Sequence, residues 1–189
     1  MRINKYRNEF EGFFHDVSDE TPGTTLLALA RTEVYQIASC YRDDGDLFLR
    51  QGDRVNALAS FAYASGWIDA GYFIGLFSCR SPCGILFEEE EIQPDLFDHL
   101  QEKAIRYGQL LSNAYLSCHP FAEPGIAWHD GGERVIVIAG AYLQGGRWFL
   151  RDARYNNALS SFSYGHGWLD AALRVGLVSI TSNKELFAI

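Results

Sequence analysis

Displaced by 101 residues, this chain lies over itself: Tyr41 to Phe77 aligns without a gap on Tyr142 to Val178, and 17 of the 37 paired residues are identical. The core of the match reads FLRQGDRVNALASFAYASGWIDAGYFIGL from Phe48 and FLRDARYNNALSSFSYGHGWLDAALRVGL from Phe149. The same displacement pairs Tyr6 with Tyr107. Two units this alike must bury their apolar residues in the same way, so the fold of one half dictates that of the other.

The apolar period inside each unit is helical. Leu27, Ala30, Val34, Ile37, Tyr41, Gly45 and Phe48 step by three and four, as do Val135, Ile138, Tyr142, Gly146 and Phe149, which draws one stripe along each helix. Gln51-Gly52-Asp53 and Asp152-Ala153-Arg154 break the pattern, which resumes from about Val55 and Asn156 to Leu76 and Leu177. So short a break implies an antiparallel helical hairpin. A further helix precedes each hairpin, Asn4 to Val17 and Asp95 to Cys118. Pro and Gly punctuate the joins at residues 21–24 and 119–125, with Thr24 as an expected cap. His129-Asp130-Gly131-Gly132 reads as a polar turn with Asp130 as a cap, and Val135 to Ala139 as helix despite its β-branched residues. The expected fold is all-α: two tandem three-helix bundles, residues 1–92 and 93–189, packed together or merged into one pseudo-symmetric six-helix body.

Function classes narrow on charge and cysteine usage. A formal charge of −8 opposes attraction to nucleic-acid phosphates or anionic lipid. The N-terminal stretch lacks the apolar core of a signal peptide, and no apolar run is long enough for a bilayer, so a cytoplasmic protein is expected. Cys40, Cys79, Cys83 and Cys118 are too few for a disulfide scaffold. Cys79, Cys83, Cys118 and His119 have loose zinc spacing and do not recur between copies, so ordinary thiols are expected. Four successive acids at Glu88 to Glu91 read as a solvated boundary. No Arg has a His four to six residues on, and no glycine cluster has phosphate-loop spacing.

The residues worth following lie on the third helices. Asn56, Ser60, Tyr63, Trp67 and Ala70 share a face, repeated by Asn157, Ser161, Tyr164, Trp168 and Ala171. Such a face either binds something or packs its aromatics inward, with Asn56 and Asn157 capping the helix starts. Asp69 and Asp170 follow Trp-Ile and Trp-Leu inside apolar helix, where a carboxylate without a partner is costly. His166, Asp170 and Arg174 stand at i, i+4 and i+8, so both cations reach the carboxylate, whereas copy one has Ser65, Asp69 and Phe73. A structural carboxylate bonded to a Tyr, Trp or Arg of a neighbouring helix accounts for both copies; an acid–base pair with His166 accounts for one. Gly45, Gly146 and the Gly66 and Gly167 series read as points of close helix approach.

At NALASFAYASGWIDAG and NALSSFSYGHGWLDAA the chain resembles an archaeal family of helical proteins, domain of unknown function family 357, in two tandem copies. The family pattern is a helix ending "YFL.KGD" followed by "VNALAAFSYAHGWLDAG...GLF". This chain departs from it at Ser65, where His166 keeps the family's histidine, and at Ala153 and Arg154, where Gly52 and Asp53 keep its Gly-Asp. The resemblance implies a three-helix bundle per copy and assigns no activity, substrate or cofactor.

No catalytic residue, metal ligand or cofactor is expected. The leading expectation is a non-enzymatic protein-interaction module with a protein partner or self-association, since antiparallel helices can present grooves to helices or peptides. The alternative is a small-molecule-binding protein or enzyme with its site between the third helices, drawing on Asn56, Tyr63, Trp67, Asp69, Asn157, Tyr164, His166, Trp168 and Asp170.

Overall fold

A computed structural model describes residues 3–16, 25–78, 83–84 and 94–187. Among the described residues, six helices run in the order α1 (Ile3–Asp16), α2 (Leu26–Arg50), α3 (Arg54–Ile74), α4 (Phe97–Ser117), α5 (Ala127–Arg151) and α6 (Tyr155–Arg174). A one-turn 3-10 helix, Pro94–Leu96, leads into α4, and another, Lys184–Leu186, follows α6. The expected repeat boundary at 92/93, Thr24, Cys79 and the acids at 88–91 lie outside the described residues.

The two copies form one body with a shared core, built on α3 and α6, which pack against each other. From Ala57 to Gly71 every α3 residue but Tyr63 is buried, and α6 is buried from Asn157 to Ala172 except His166. A helix rich in Ala, Ser, Gly and aromatics all round has no solvent face to keep, and belongs in the centre. The outer helices cover this pair: α2 and α1 lie on α3, α5 and α4 on α6. In each copy the second helix closes on the third through a glycine. A Cβ on Gly45 would stand 2.7 Å from the Phe61 ring, and one on Gly146 would stand 2.3 Å from the Phe162 ring. The stripe of α2 is buried at Val34 and Gly45, while Leu27 is exposed.

Helix ends show where local chemistry differs from the reading of the sequence. Thr25 caps α2 by accepting from Ala28 N at 3.1 Å. Asp53, not Asn56, caps α3, accepting from Asn56 N at 2.9 Å. Arg154 holds the equivalent place at α6 and makes no side-chain cap bond; Asn157 lies in the first turn of the helix. His129 to Gly132 form no turn, because α5 already starts at Ala127. A two-stranded antiparallel ladder, β1 (Cys118–Pro120) with β2 (Val178–Ile180), ties the end of α4 to the chain after α6. Three residues per strand are too few to show alternation in sequence.

The hairpin turn in copy two carries strain. Gly52 has φ 82°, and its counterpart Ala153 has φ 56°. A left-handed conformation costs a residue with a Cβ about 1 kcal/mol more than glycine. Ala153→Gly is therefore expected to raise stability by about 0.5–1 kcal/mol in urea unfolding, part of the relief being offset by the added freedom of the unfolded chain. No gain would show that the turn has relaxed by another route.

Candidate functional site

The central pair crosses at two equivalent glycines. A Cβ on Gly66 would stand 2.3 Å from Tyr164 O, and one on Gly167 would stand 2.4 Å from Tyr63 O. At this crossing each copy reaches into the other: Tyr164 donates to Asp69 Oδ2 at 2.6 Å, and Tyr63 donates to Asp170 Oδ2. The tryptophans stand beside these tyrosines, Trp67 6.2 Å from Tyr63 and Trp168 6.3 Å from Tyr164 between ring centroids, and both are buried. Burial first, and the facing carboxylate second, push the Tyr63 and Tyr164 phenols far above their ordinary range. They stay protonated and serve as donors.

The two Tyr–Asp pairs differ in what surrounds them. Asp69, 1% exposed, also accepts from Cys83 N at 2.6 Å and Gly84 N at 2.7 Å, so these two backbone amides lie against it. Beside it Ser65 donates to Phe61 O at 2.9 Å and accepts from the buried Tyr6 hydroxyl at 2.9 Å. Burial raises the Asp69 carboxyl above the usual carboxylate range, and the bonds from Tyr164, Gly84 and Cys83 counter it.

Between the copies lies a cleft of about 290 Å³, whose walls include Tyr41, Tyr63, Tyr107, His166, Glu185 and Asp170, the last only 3% exposed. His166 takes the place of Ser65, and its Nε2 lies 2.9 Å from Leu186 O. A carbonyl only accepts, so Nε2 carries the proton and donates. Asp170 Oδ2 stands 3.8 Å from the same nitrogen. Tyr107, the counterpart of Tyr6, is half-buried on the wall. Tyr41 lies 4.3 Å from the Tyr63 ring, and burial with the nearby Asp170 charge raises its phenol.

The profile of the family described as "Protein of unknown function (DUF357)" matches residues 5–77 and again residues 106–178. This chain belongs to the DUF357 family. Comparison with curated proteins and with solved structures gives no match. The two DUF357 matches stand 101 residues apart, the displacement that superposes the sequence on itself.

Within the DUF357 repeats, the residues singled out from sequence do not form one face open to solvent. Tyr63, Tyr164, Asp69, Asp170, Trp67 and Trp168 meet at the α3–α6 seam, while Asn56 and Asn157 stay at the helix starts. Arg174 does not reach Asp170: its Nε pairs with Glu33 of α2 at 2.9 Å. Sequence reasoning missed Tyr41, Tyr107 and Glu185 as cleft residues, because they come from α2, α4 and the chain after β2. The match of Tyr107 with Tyr6 was the one available signal. Cys118 is buried, and burial, with Asp170 second, pushes its thiol up to about 12, so at neutral pH it is an inert thiol. Among the described residues, His129, Asp130 and Glu133 bring ligand atoms within 4.8 Å of one another, with both acids exposed. No helix among them is long and apolar enough to cross a membrane.

Proposed function

We propose that this protein binds a small molecule in the cleft between the copies. One observation carries the reading: Tyr41 and Tyr63 of copy one meet Tyr107, His166, Asp170 and Glu185 of copy two around a cleft of about 290 Å³. That volume lies at the small end of ligand sites, about 300–1,000 Å³. Its wall joins apolar ring surface to a few polar groups, the mixture that such sites use to hold and orient a ligand. Phenols held protonated and a His166 Nε2 committed to Leu186 O favour binding over proton transfer.

A fragment screen on the isotope-labelled full chain tests this by NMR. Fragments are expected to shift the amides of Tyr41, Tyr107, His166 and Glu185, and Leu110→Trp, which enlarges a side chain of the wall, is expected to abolish those shifts. Shifts that survive Leu110→Trp, or no shifts at these residues at all, would overturn the reading.

A second reading, interaction with a protein or a second copy, is favoured by exposed apolar side chains on copy two: Leu116 is 70%, Phe121 69% and Val137 68% exposed. Light scattering on the same samples separates the self-associating form of it, which predicts a mass above the 21.3 kDa of one chain.

A further inference from the structure

We propose that the ligand of this cleft is an uncharged aromatic ring carrying hydroxyl groups. The proposal rests on the binding reading above and names the class of ligand. Behind it stands an unsatisfied hydroxyl: Ser163, 1% exposed and on the cleft wall, has an Oγ with no hydrogen-bond partner among the described residues. Other helical serines satisfy themselves, since Ser65, Ser117 and Ser161 each donate to the carbonyl oxygen four residues earlier. A hydroxyl buried without a partner is unfavourable, and a hydroxyl brought into the cleft would give Ser163 the bond it lacks.

Ser60 from α3 and Tyr107 from α4 add two more hydroxyls to the same wall. Each hydroxyl both donates and accepts, so the three match a ligand whose polar groups do the same.

Charge gives the cleft no preferred sign. Glu185 stands on its wall, while Lys103 Nζ lies 5.3 Å and Arg106 Cζ 5.5 Å from the Tyr107 ring centroid. The buried Asp170 is already engaged by Tyr63, and His166 Nε2 by Leu186 O. A charged ligand would give up its hydration here without gaining a counter-charge of its own, a loss that a neutral ligand escapes.

The apolar part of the wall suits a ring. Tyr41, Tyr63, Tyr107 and Phe187 present aromatic surface, which a second ring meets edge-on or offset. An apolar cavity of about 150 Å³ takes benzene. A cleft of about 290 Å³ therefore leaves room for one ring with its hydroxyl substituents.

Calorimetry on the full chain at neutral pH tests this, using resorcinol against toluene, benzoate and benzylamine. Resorcinol is expected to bind at least about tenfold more tightly than each of the others, a difference of about 1.4 kcal/mol. Ser163→Ala removes the unpartnered hydroxyl and leaves a better helix former, so the free protein is expected to unfold at higher urea. The same variant is expected to weaken resorcinol by about threefold to tenfold, the share of one neutral hydrogen bond, and to leave toluene unchanged. Toluene or either charged ring binding as tightly as resorcinol, or resorcinol affinity unmoved by Ser163→Ala, would overturn the hydroxyl class and leave the binding reading standing. So would resorcinol failing to bind where other fragments do. No fragment of any kind in the cleft would remove the binding reading itself.

Discussion

Gly66→Ala is expected to destabilise the protein by about 2–3 kcal/mol in urea unfolding, although alanine is the better helix former. The reason is the crossing of the central pair. The added methyl would sit 2.3 Å from the carbonyl oxygen of Tyr164, a backbone atom that no rotamer change can move. The helices must separate, and separation loosens both Tyr–Asp bonds and the rings packed around them. Gly167→Ala strikes Tyr63 O at 2.4 Å and is expected to cost the same. The double variant is expected to cost less than the sum, since helices pushed apart by one methyl already make room for the other. Gly12→Ala supplies the control: nothing stands within 4 Å of its Cβ, so this change in α1 is expected to stabilise by up to about 1 kcal/mol. If Gly66→Ala proved as harmless as Gly12→Ala, the close crossing would be wrong.

How far the sequence revealed this architecture depends on which interactions repeat. The helices and their hairpins were legible because the apolar period is local and occurs twice. The burial of α3 and α6 was legible in outline, since Gly66, Trp67, Asp69 and their counterparts fit no solvent-facing helix. What could not be read is the choice of partner. A repeated Tyr and a repeated Asp satisfy each other equally well within a copy or between copies, and only the crossing at Gly66 and Gly167 selects Tyr63 with Asp170 and Tyr164 with Asp69. Arg174 misled for a related reason: Asp170 was its neighbour at i−4, yet Glu33 lies across at α2 and takes the guanidinium without burying it. The cleft was hidden because Ser65 and His166 are a single substitution in an alignment. In space the serine admits Tyr6 and helps close one site, while the histidine holds Leu186 of the tail at the edge of the other.

The Asp69 carboxylate, buried in the core, is expected to be costly to remove. Asp69→Ala strands the Cys83 and Gly84 amides and the Tyr164 hydroxyl; at about 1–3 kcal/mol for each buried donor left unpaired, and with partial relaxation, the loss should be about 4 kcal/mol. The pH dependence carries a sign that separates burial from ion pairing. Burial raises the Asp69 carboxyl in the folded protein above its unfolded value, so the native state holds that proton longer. Its contribution is full below the ordinary carboxylate range and diminishes as pH rises through the raised value. The difference between wild type and Asp69→Ala should therefore be larger at pH 4 than at pH 7, measured by urea unfolding at both. A salt-bridged carboxylate would give the opposite trend. A difference that grows with pH would mean that the donors from Tyr164, Cys83 and Gly84 outweigh burial, and a small loss in Asp69→Ala would mean that these donors are not held by Asp69 in solution.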